Sequence, residues 1–205
     1  MAKKNISIDV NDVLRDYTRQ FMKMYNKTIN PNFVIEYDEI KDFDFFNVFP
    51  FGDKDFRDKQ EYFDFLYEEV AYEIFGCAEV MERGLGPAFS TWVERDMRNF
   101  DDEDTPNLRI VAPFETHLAI PSTMHFLSRI GCKVREYYFP IVSNTIWDGA
   151  DILITANPQL IKNKPEGKIA IKINTPYNQD VDADYTFDTF IEMINSRVIE
   201  KLIEE

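Results

Sequence analysis

Residue types that build many functional sites are scarce in this chain of 205 residues. It has two cysteines, Cys77 and Cys132, and two histidines. The cysteines stand far apart without a Cys-x-x-Cys pair, so the sequence supports neither a disulfide framework nor a zinc site. We expect both thiols to lie in the core. His117 and His125 show no metal-ligand spacing, and we expect structural roles for them.

Long hydrophobic runs are also missing. No segment approaches the ~20 consecutive apolar residues of a membrane span, and the apolar stretch after Lys3 and Lys4 is too short for a signal peptide. A hydrophobic content of 44% with 29% charged residues is typical of a folded soluble protein. We therefore expect a cytoplasmic protein without membrane contact.

Basic residues are in the minority, 23 Lys and Arg against 37 Asp and Glu, which gives a net charge of −14. Residues 16–104 alone hold 22 acidic and 10 basic residues, a net charge of −12. Such a charge repels phosphate backbones and disfavours direct nucleic-acid binding, whereas it attracts a basic protein partner. The alternative is an acidic surface that only keeps the protein soluble.

The pattern of apolar residues predicts an α/β fold. Besides an opening strand, short apolar segments bounded by Pro, Gly or Asn predict strands at residues 107–114, 132–139, 150–155 and 168–174. Helical patterns lie between them, one of them over residues 121–131, and a last helix is predicted from Phe187 to Leu202. This alternation indicates three layers, a mostly parallel sheet covered by helices on both faces.

About ninety residues separate the first predicted strand from the second. They show helical patterning, and a structureless loop of this length is uncommon in a compact domain. We therefore predict an inserted helical subdomain over residues 16–104, and an α/β core over residues 1–15 and 105–205.

The opening strand runs into Asp9-Val10-Asn11-Asp12-Val13-Leu14. This run resembles the first motif of the haloacid dehalogenase (HAD) superfamily, in which an apolar strand ends in Asp-x-Asp-Gly-Val/Thr-Leu. The resemblance implies that Asp9 stands at the position of the nucleophile, which attacks a phosphorus atom beside a bound Mg²⁺. Asn11 replaces the acid that moves the proton, and such assistance is worth roughly 10²–10⁴ in rate. The alternative is that Asp9 and Asn11 only cap a turn.

The later motifs of the superfamily lack their catalytic groups here. The second predicted strand ends without the hydroxyl that binds the phosphoryl group, and Thr116 could replace it only if the loop folds back. Thr145 stands near the position of the motif lysine. Thr155 and Ala156 replace the paired acids of the Mg²⁺ shell, and Asp9 alone is a poor ligand set. Asp12 is the nearby carboxylate that could substitute as a metal ligand or catalytic group.

Within the superfamily the chain resembles the 5'(3')-deoxyribonucleotidases. Residues 168–178 are similar to their final core strand and Pro-Tyr-Asn loop, and one class of the superfamily inserts a helical cap where residues 16–104 stand. Cap aromatics stack the nucleobase in this branch, and thirteen of the thirty aromatic residues here fall between Tyr37 and Phe75. These rings could instead form the core of the subdomain or an interface with a protein.

Three functions remain open. We favour a catalytically impaired HAD-like protein, a pseudo-nucleotidase with a binding or structural role in assembly. Similar proteins occur in phages, and if this chain is phage-encoded it would act in the host cytoplasm or in the virion. The second is a divergent Mg²⁺-dependent 5'(3')-deoxyribonucleotidase or phosphatase that acts through Asp9. The third is a module that binds a nucleotide without chemistry. We expect no cofactor, or Mg²⁺ if the chain is an enzyme, and protein partners with a basic surface at the acidic, aromatic cap.

Overall fold

The computed structural model describes residues 3–51, 56, 58–95, 97 and 105–204. A six-stranded sheet forms its centre, and all five pairs of neighbouring strands are parallel. The strands are β1 (Asn5–Asp9), β2 (Asn107–Val111), β3 (Glu136–Tyr138), β4 (Ile152–Thr155), β5 (Ile169–Ile173) and β6 (Tyr185–Phe187). Their order in the sheet is β3-β2-β1-β4-β5-β6. The predicted α/β fold with a parallel sheet is confirmed.

Helices connect the strands. The α-helices are α1 (Tyr17–Thr28), α2 (Phe45–Val48), α3 (Lys59–Asp64), α4 (Leu85–Arg95), α5 (Ala119–Arg129), α6 (Pro158–Lys162), α7 (Phe190–Ser196) and α8 (Val198–Glu204). Two π-helical turns, Phe65–Glu69 and Tyr72–Gly76, follow α3, and 3₁₀ turns occupy Tyr37–Glu39 and Ser143–Trp147. In the described part of the chain no helix is both long enough and apolar enough to span a bilayer.

Both faces of the sheet are buried because its central strands are apolar on both sides. Alternate residues such as Ile152 and Ile154 of β4 point to one face, where α4, α5, α7 and α8 pack. Leu153, between them, belongs to the cluster on the other face with Trp147 and Leu160. Strands buried on both faces read as continuous apolar runs, and this is how β4 appears in the sequence.

The insertion, meaning the described residues between β1 and β2, has a hydrophobic cluster of its own. Helices α1 to α3 and the two π-helical turns contribute buried rings that contact one another, among them Phe21, Tyr25, Phe45 and Phe49. Most of the aromatic run is therefore a core, one of the three roles considered for it. Helix α4 instead packs on the sheet cluster. The division at residue 104 falls outside the described residues and stays a prediction.

Two expectations from the sequence are wrong in detail, and one strand was not predicted. The last helix is two helices, because Arg197 between α7 and α8 has a left-handed backbone with φ of 58°. The short edge strand β6 gave no strand signal. Cys77 is exposed rather than in the core, while Cys132 is half-buried and its burial raises the pKa of the thiol.

Gly86, in the first turn of α4, tests the packing of this helix. A Cβ at this position would lie 2.8 Å from the carbonyl oxygen of Ile130, closer than real Cβ atoms come to backbone. Alanine gains ~1 kcal/mol of helix propensity, but overpacking costs ~1–3 kcal/mol. We expect Gly86→Ala to lower the free energy of unfolding in urea by about 1 kcal/mol.

The matched control is Thr91→Ala on the exposed face of α4, which we expect to change the stability by less than ~0.5 kcal/mol. A Gly86→Ala variant as stable as the native protein would contradict the close packing of α4 on Ile130.

Candidate functional site

The candidate site lies at the carboxyl end of β1, in the middle of the sheet. Asp9 is the last residue of β1, which pairs with β2 on one side and with β4 on the other. In open α/β sheets, ligands bind beyond the carboxyl ends of the strands, where the strand order reverses. The order β3-β2-β1-β4 places this reversal between β1 and β4, so Asp9 stands where such a fold binds its ligand.

Asp9 is a buried carboxyl group with one free oxygen. Its side chain is 3% exposed, and Oδ2 accepts a hydrogen bond of 2.8 Å from the Thr155 hydroxyl. Oδ1 has no hydrogen-bond partner among the described residues. Burial raises the pKa of Asp9 to about 7, against the opposing effects of the Thr155 hydroxyl, the Asn11 N–H and the Arg15 charge. The Asn11 N–H is near enough to favour the carboxylate but makes no hydrogen bond of normal geometry to it. At neutral pH the neutral and ionised forms are therefore similarly populated.

The Asn11 side chain is fixed by Arg15. Its Oδ1 accepts hydrogen bonds from Nε of Arg15 at 2.9 Å and from Nη2 at 2.6 Å. Because a guanidinium has only donors, the amide must present its oxygen to Arg15. Asn11 also lines the cavity above Asp9, so the amide NH₂ is the group that it offers there.

Arg15 is itself fully buried and pairs with a buried acid. Its Nη2 lies 2.8 Å from Oε1 of Glu115, and neither side chain has any exposed area. Nη1 donates to the Phe75 carbonyl oxygen at 3.1 Å and to the Thr123 hydroxyl, which also bonds to Glu115. Burial raises the pKa of Glu115, whereas the Arg15 charge lowers it.

The Asp12 carboxylate is occupied by other groups. Asp12 has φ of 54°, a left-handed conformation that Asp tolerates better than most residues. Its Oδ1 accepts from the Thr18 N–H at 2.9 Å, and its Oδ2 accepts from the hydroxyls of Thr18 at 2.6 Å and Tyr177 at 2.7 Å. The structure thus uses this carboxylate to join the start of α1 to the loop after β5.

The two threonines considered for phosphate binding make other contacts. The Thr116 hydroxyl donates to the Tyr67 carbonyl oxygen and accepts from the Ala119 N–H at the start of α5. The Thr145 hydroxyl donates to the Val142 carbonyl oxygen, in the 3₁₀ turn before β4. Neither residue is part of the cavity lining above Asp9.

A cavity of about 260 Å³ lies between the strand ends and the insertion. Its polar lining includes Asp9, Asn11, Asn157 and Gln159, and most of the rest is aromatic, with rings from both the insertion and the sheet loops. Sequence reasoning missed Asn157 and the pairing of Thr155 with Asp9. Asn157 precedes Pro158 and caps α6, a signal that the sequence does contain.

The side chains around Asp9 do not match a Mg²⁺ site. Mg²⁺ demands near-octahedral oxygen coordination, usually with one or two carboxylates. The oxygens of Asp12 are occupied, and Oδ1 of Asn157 accepts from two N–H groups of α6. The described residues contain no group of three His, Cys, Asp or Glu side chains placed to hold a metal. Asp9 would therefore have to bind the ion with little help.

No protein-family model and no curated protein matches the sequence. Solved structures do match. A protein from Burkholderia xenovorans LB400, assigned as a haloacid dehalogenase-like hydrolase, gives a TM-score of 0.60 at 10% identity, over 98% of this chain and 99% of that chain. A dehalogenase with an intermediate complex gives 0.55 at 6% identity, over 95% and 97%. YfnB from Bacillus subtilis, assigned as a HAD-hydrolase and bound to magnesium, gives 0.53 at 11% identity, over 96% and 99%.

These similarities define the class of fold. At such low identity they show the fold alone, and the chain has the α/β fold of HAD-like hydrolases. The fold predicted from the first motif is thereby confirmed. The magnesium of YfnB fits the expectation that an enzymatic protein of this fold would use Mg²⁺. The deoxyribonucleotidase branch and the altered motifs stay hypotheses.

The pH dependence of the free energy of unfolding should show that Asp9 is buried. Because the pKa of Asp9 is about 7 in the folded protein, against 3.8 for the free side chain, the folded state keeps a proton that the unfolded state loses. Stability from this group therefore falls as pH rises from about 4 to 7. We expect Asp9→Asn to gain stability over the native protein, by about 3 kcal/mol more at pH 8 than at pH 4.5.

Urea denaturation of both proteins at several pH values measures this difference. Asp12 and Glu115 are present in both proteins, so their titration cancels to first order. A difference that is constant with pH, or one that shrinks as pH rises, would contradict the buried carboxyl.

The buried pair of Arg15 and Glu115 makes a second prediction. Glu115→Gln leaves the guanidinium buried without a counter-ion, and breaking such a pair typically costs ~3–5 kcal/mol. Lys27→Ala removes the exposed ion pair with Glu73 and should cost far less, because solvent screens such a pair. Denaturant melts of both variants compare the two costs, and equal losses would show that the Arg15 network contributes little.

Proposed function

We propose that this protein is a catalytically impaired HAD-like protein, whose site at Asp9 serves binding rather than hydrolysis of a phosphate ester. One observation carries the proposal. The side-chain oxygens of three residues that could help Asp9 to hold Mg²⁺ are engaged by other groups: Asn11 by Arg15, Asp12 by Thr18 and Tyr177, and Asn157 by α6.

The remaining groups also fit a reduced activity. Burial raises the pKa of Asp9 to about 7, so part of this group is protonated at neutral pH, and only the ionised form is a nucleophile. The amide of Asn11 cannot exchange a proton, so it cannot assist as a general acid or base. Two hydrogen bonds from Arg15 fix the position of this amide. The amide therefore does not move aside for a water molecule that could transfer the proton.

A binding role is supported by the cavity that remains above Asp9. At its mouth, Phe63 of the insertion stacks on Phe114 of the loop after β2, with ring centroids 6.1 Å apart. Both rings are partly exposed, at 37% and 41%. A role in assembly, including one in a phage virion, rests on the sequence resemblance alone. A basic protein partner at the insertion rests on the net charge of −12 over residues 16–104.

The alternative is a divergent Mg²⁺-dependent 5'(3')-deoxyribonucleotidase. It is favoured by Asp9 Oδ1, which has no hydrogen-bond partner among the described residues. This oxygen, at the carboxyl end of β1, would be the nucleophile. Such an enzyme would have to bind Mg²⁺ with Asp9 as its one free carboxylate, or Asn157 would have to leave its hydrogen bonds to α6 and turn its oxygen towards the ion.

Phosphate release separates the two proposals. The native protein is incubated with Mg²⁺ or Mn²⁺ and a panel of nucleoside monophosphates, beside Asp9→Asn. We expect no release above that of Asp9→Asn, because neither the metal shell nor the proton donor is complete.

The matched control is Asp148→Asn, the same change at an exposed residue in the turn before β4. Release that requires the metal, persists in Asp148→Asn and vanishes in Asp9→Asn would overturn the proposal and establish the nucleotidase.

A further inference from the structure

The cavity above Asp9 offers little positive charge to an anion. Lys59 is the one cation among the described residues of its lining, and its Nζ pairs with Asp44. Arg15, behind Asn11, is neutralised by Glu115. Proteins bind phosphate groups with free Arg or Lys side chains, metal ions or helix N-termini.

The other sources of positive charge near the strand ends are also occupied. Lys172 of β5 donates to the carbonyl oxygens of Asn178 and Val181. The N–H groups of Gln159 and Leu160, at the start of α6, donate to Oδ1 of Asn157. A phosphate ester, with up to two negative charges, would thus lose its hydration without receiving a counter-charge.

The polar groups that are free suit an uncharged ligand. Asp9 Oδ1 is buried in the cavity wall and has no hydrogen-bond partner among the described residues. The Asn11 amide, with its oxygen on Arg15, has its NH₂ group left to donate. An acceptor and a donor from two residues that line the same cavity match a group that carries N–H and C=O together, such as an amide or a lactam.

The apolar part of the cavity suits a ring. Tyr17, Phe45, Tyr62 and Tyr67 line it, and aromatic side chains favour stacked or edge-to-face contacts with other rings. The volume of about 260 Å³ is below the ~300–1,000 Å³ of pockets for drug-sized ligands. The occupant is therefore small, with one or two rings.

We propose that the site binds a small, uncharged ring compound with an amide or lactam group, which donates its N–H to Asp9 Oδ1 and accepts from the Asn11 NH₂. The proposal rests on the proposed function, because it assigns to Asp9 a hydrogen bond in place of a covalent bond to phosphorus. It differs from a nucleotide site in that no phosphate is bound.

Three probes of similar shape and different charge test this proposal. Benzamide carries the amide, benzoate is its anionic counterpart, and phenyl phosphate adds the phosphate group. Binding is followed at pH 7 by chemical-shift changes in the ¹⁵N-labelled protein. We expect benzamide to bind with a dissociation constant on the order of 1 mM, as a compound of this size allows. Benzoate and phenyl phosphate should bind at least tenfold more weakly.

Asn11→Asp tests the donor. The carboxylate keeps the bonds from Arg15 but removes the NH₂ group, so benzamide should lose at least tenfold in affinity because its C=O is left facing an acceptor. Asn26→Asp, the same change on the exposed face of α1, should bind benzamide as the native protein does.

The results separate this proposal from the one on which it rests. If phenyl phosphate binds as tightly as benzamide but is not hydrolysed, the proposal of an uncharged ligand is overturned. The proposal of a catalytically impaired site is then unaffected. Metal-dependent hydrolysis of phenyl phosphate overturns both. The proposal of an uncharged ligand is also overturned if benzamide shows no binding at a concentration about 10 times the expected dissociation constant. It is overturned as well if benzamide binds Asn11→Asp as tightly as the native protein.

Discussion

The buried guanidinium of Arg15 is the constraint on which the site depends. It joins the loop after β1 through Asn11, the second π-helical turn through Phe75, the loop after β2 through Glu115, and α5 through Thr123. A buried charge is tolerated only when it is paired and its donors are satisfied, and here Nε, Nη1 and Nη2 all have acceptors. These bonds hold the insertion against the core beside the site, and they also decide which side of the Asn11 amide faces the cavity.

The arrangement around Asp9 lowers the stability of the fold, which is unexpected unless the site has a function. A carboxyl whose Oδ1 is buried without a partner costs stability, and an apolar residue at the end of β1 would avoid that cost. Groups that lower stability in this way are concentrated at functional sites. We therefore interpret the free oxygen as evidence of a ligand, although the metal shell of a phosphatase is incomplete. Binding and loss of catalysis are compatible, because they depend on different groups.

The sequence predicted the features that depend on local pattern. Apolar strands in alternation with helices gave the parallel sheet, and the first motif placed Asp9 at the end of β1. The length of the insertion and its helical pattern also followed from the sequence. The break at Arg197 did not, because a single left-handed residue leaves the apolar period of α7 and α8 almost unchanged.

The contacts that define the site could not be predicted, since they join distant parts of the chain. Thr155 lies 146 residues after Asp9, and Glu115 lies 100 residues after Arg15. From sequence alone, a single Arg or Glu is predicted to lie on the surface, because such side chains are rarely buried unless they are paired. Thr155 was noted only for the acid it replaces, whereas in the structure its hydroxyl takes up one oxygen of Asp9.

Binding of a divalent cation at Asp9 distinguishes a catalytic metal site from a site that only binds a ligand. Mn²⁺, a paramagnetic substitute for Mg²⁺, can be titrated into the native protein and into Asp9→Asn while water proton relaxation reports the bound ion. If Asp9 assembles no metal site, both proteins bind Mn²⁺ equally weakly, through the acidic surface alone. A stoichiometric site in the native protein that is lost in Asp9→Asn would show that the carboxylate does assemble a metal centre, and would contradict the central claim.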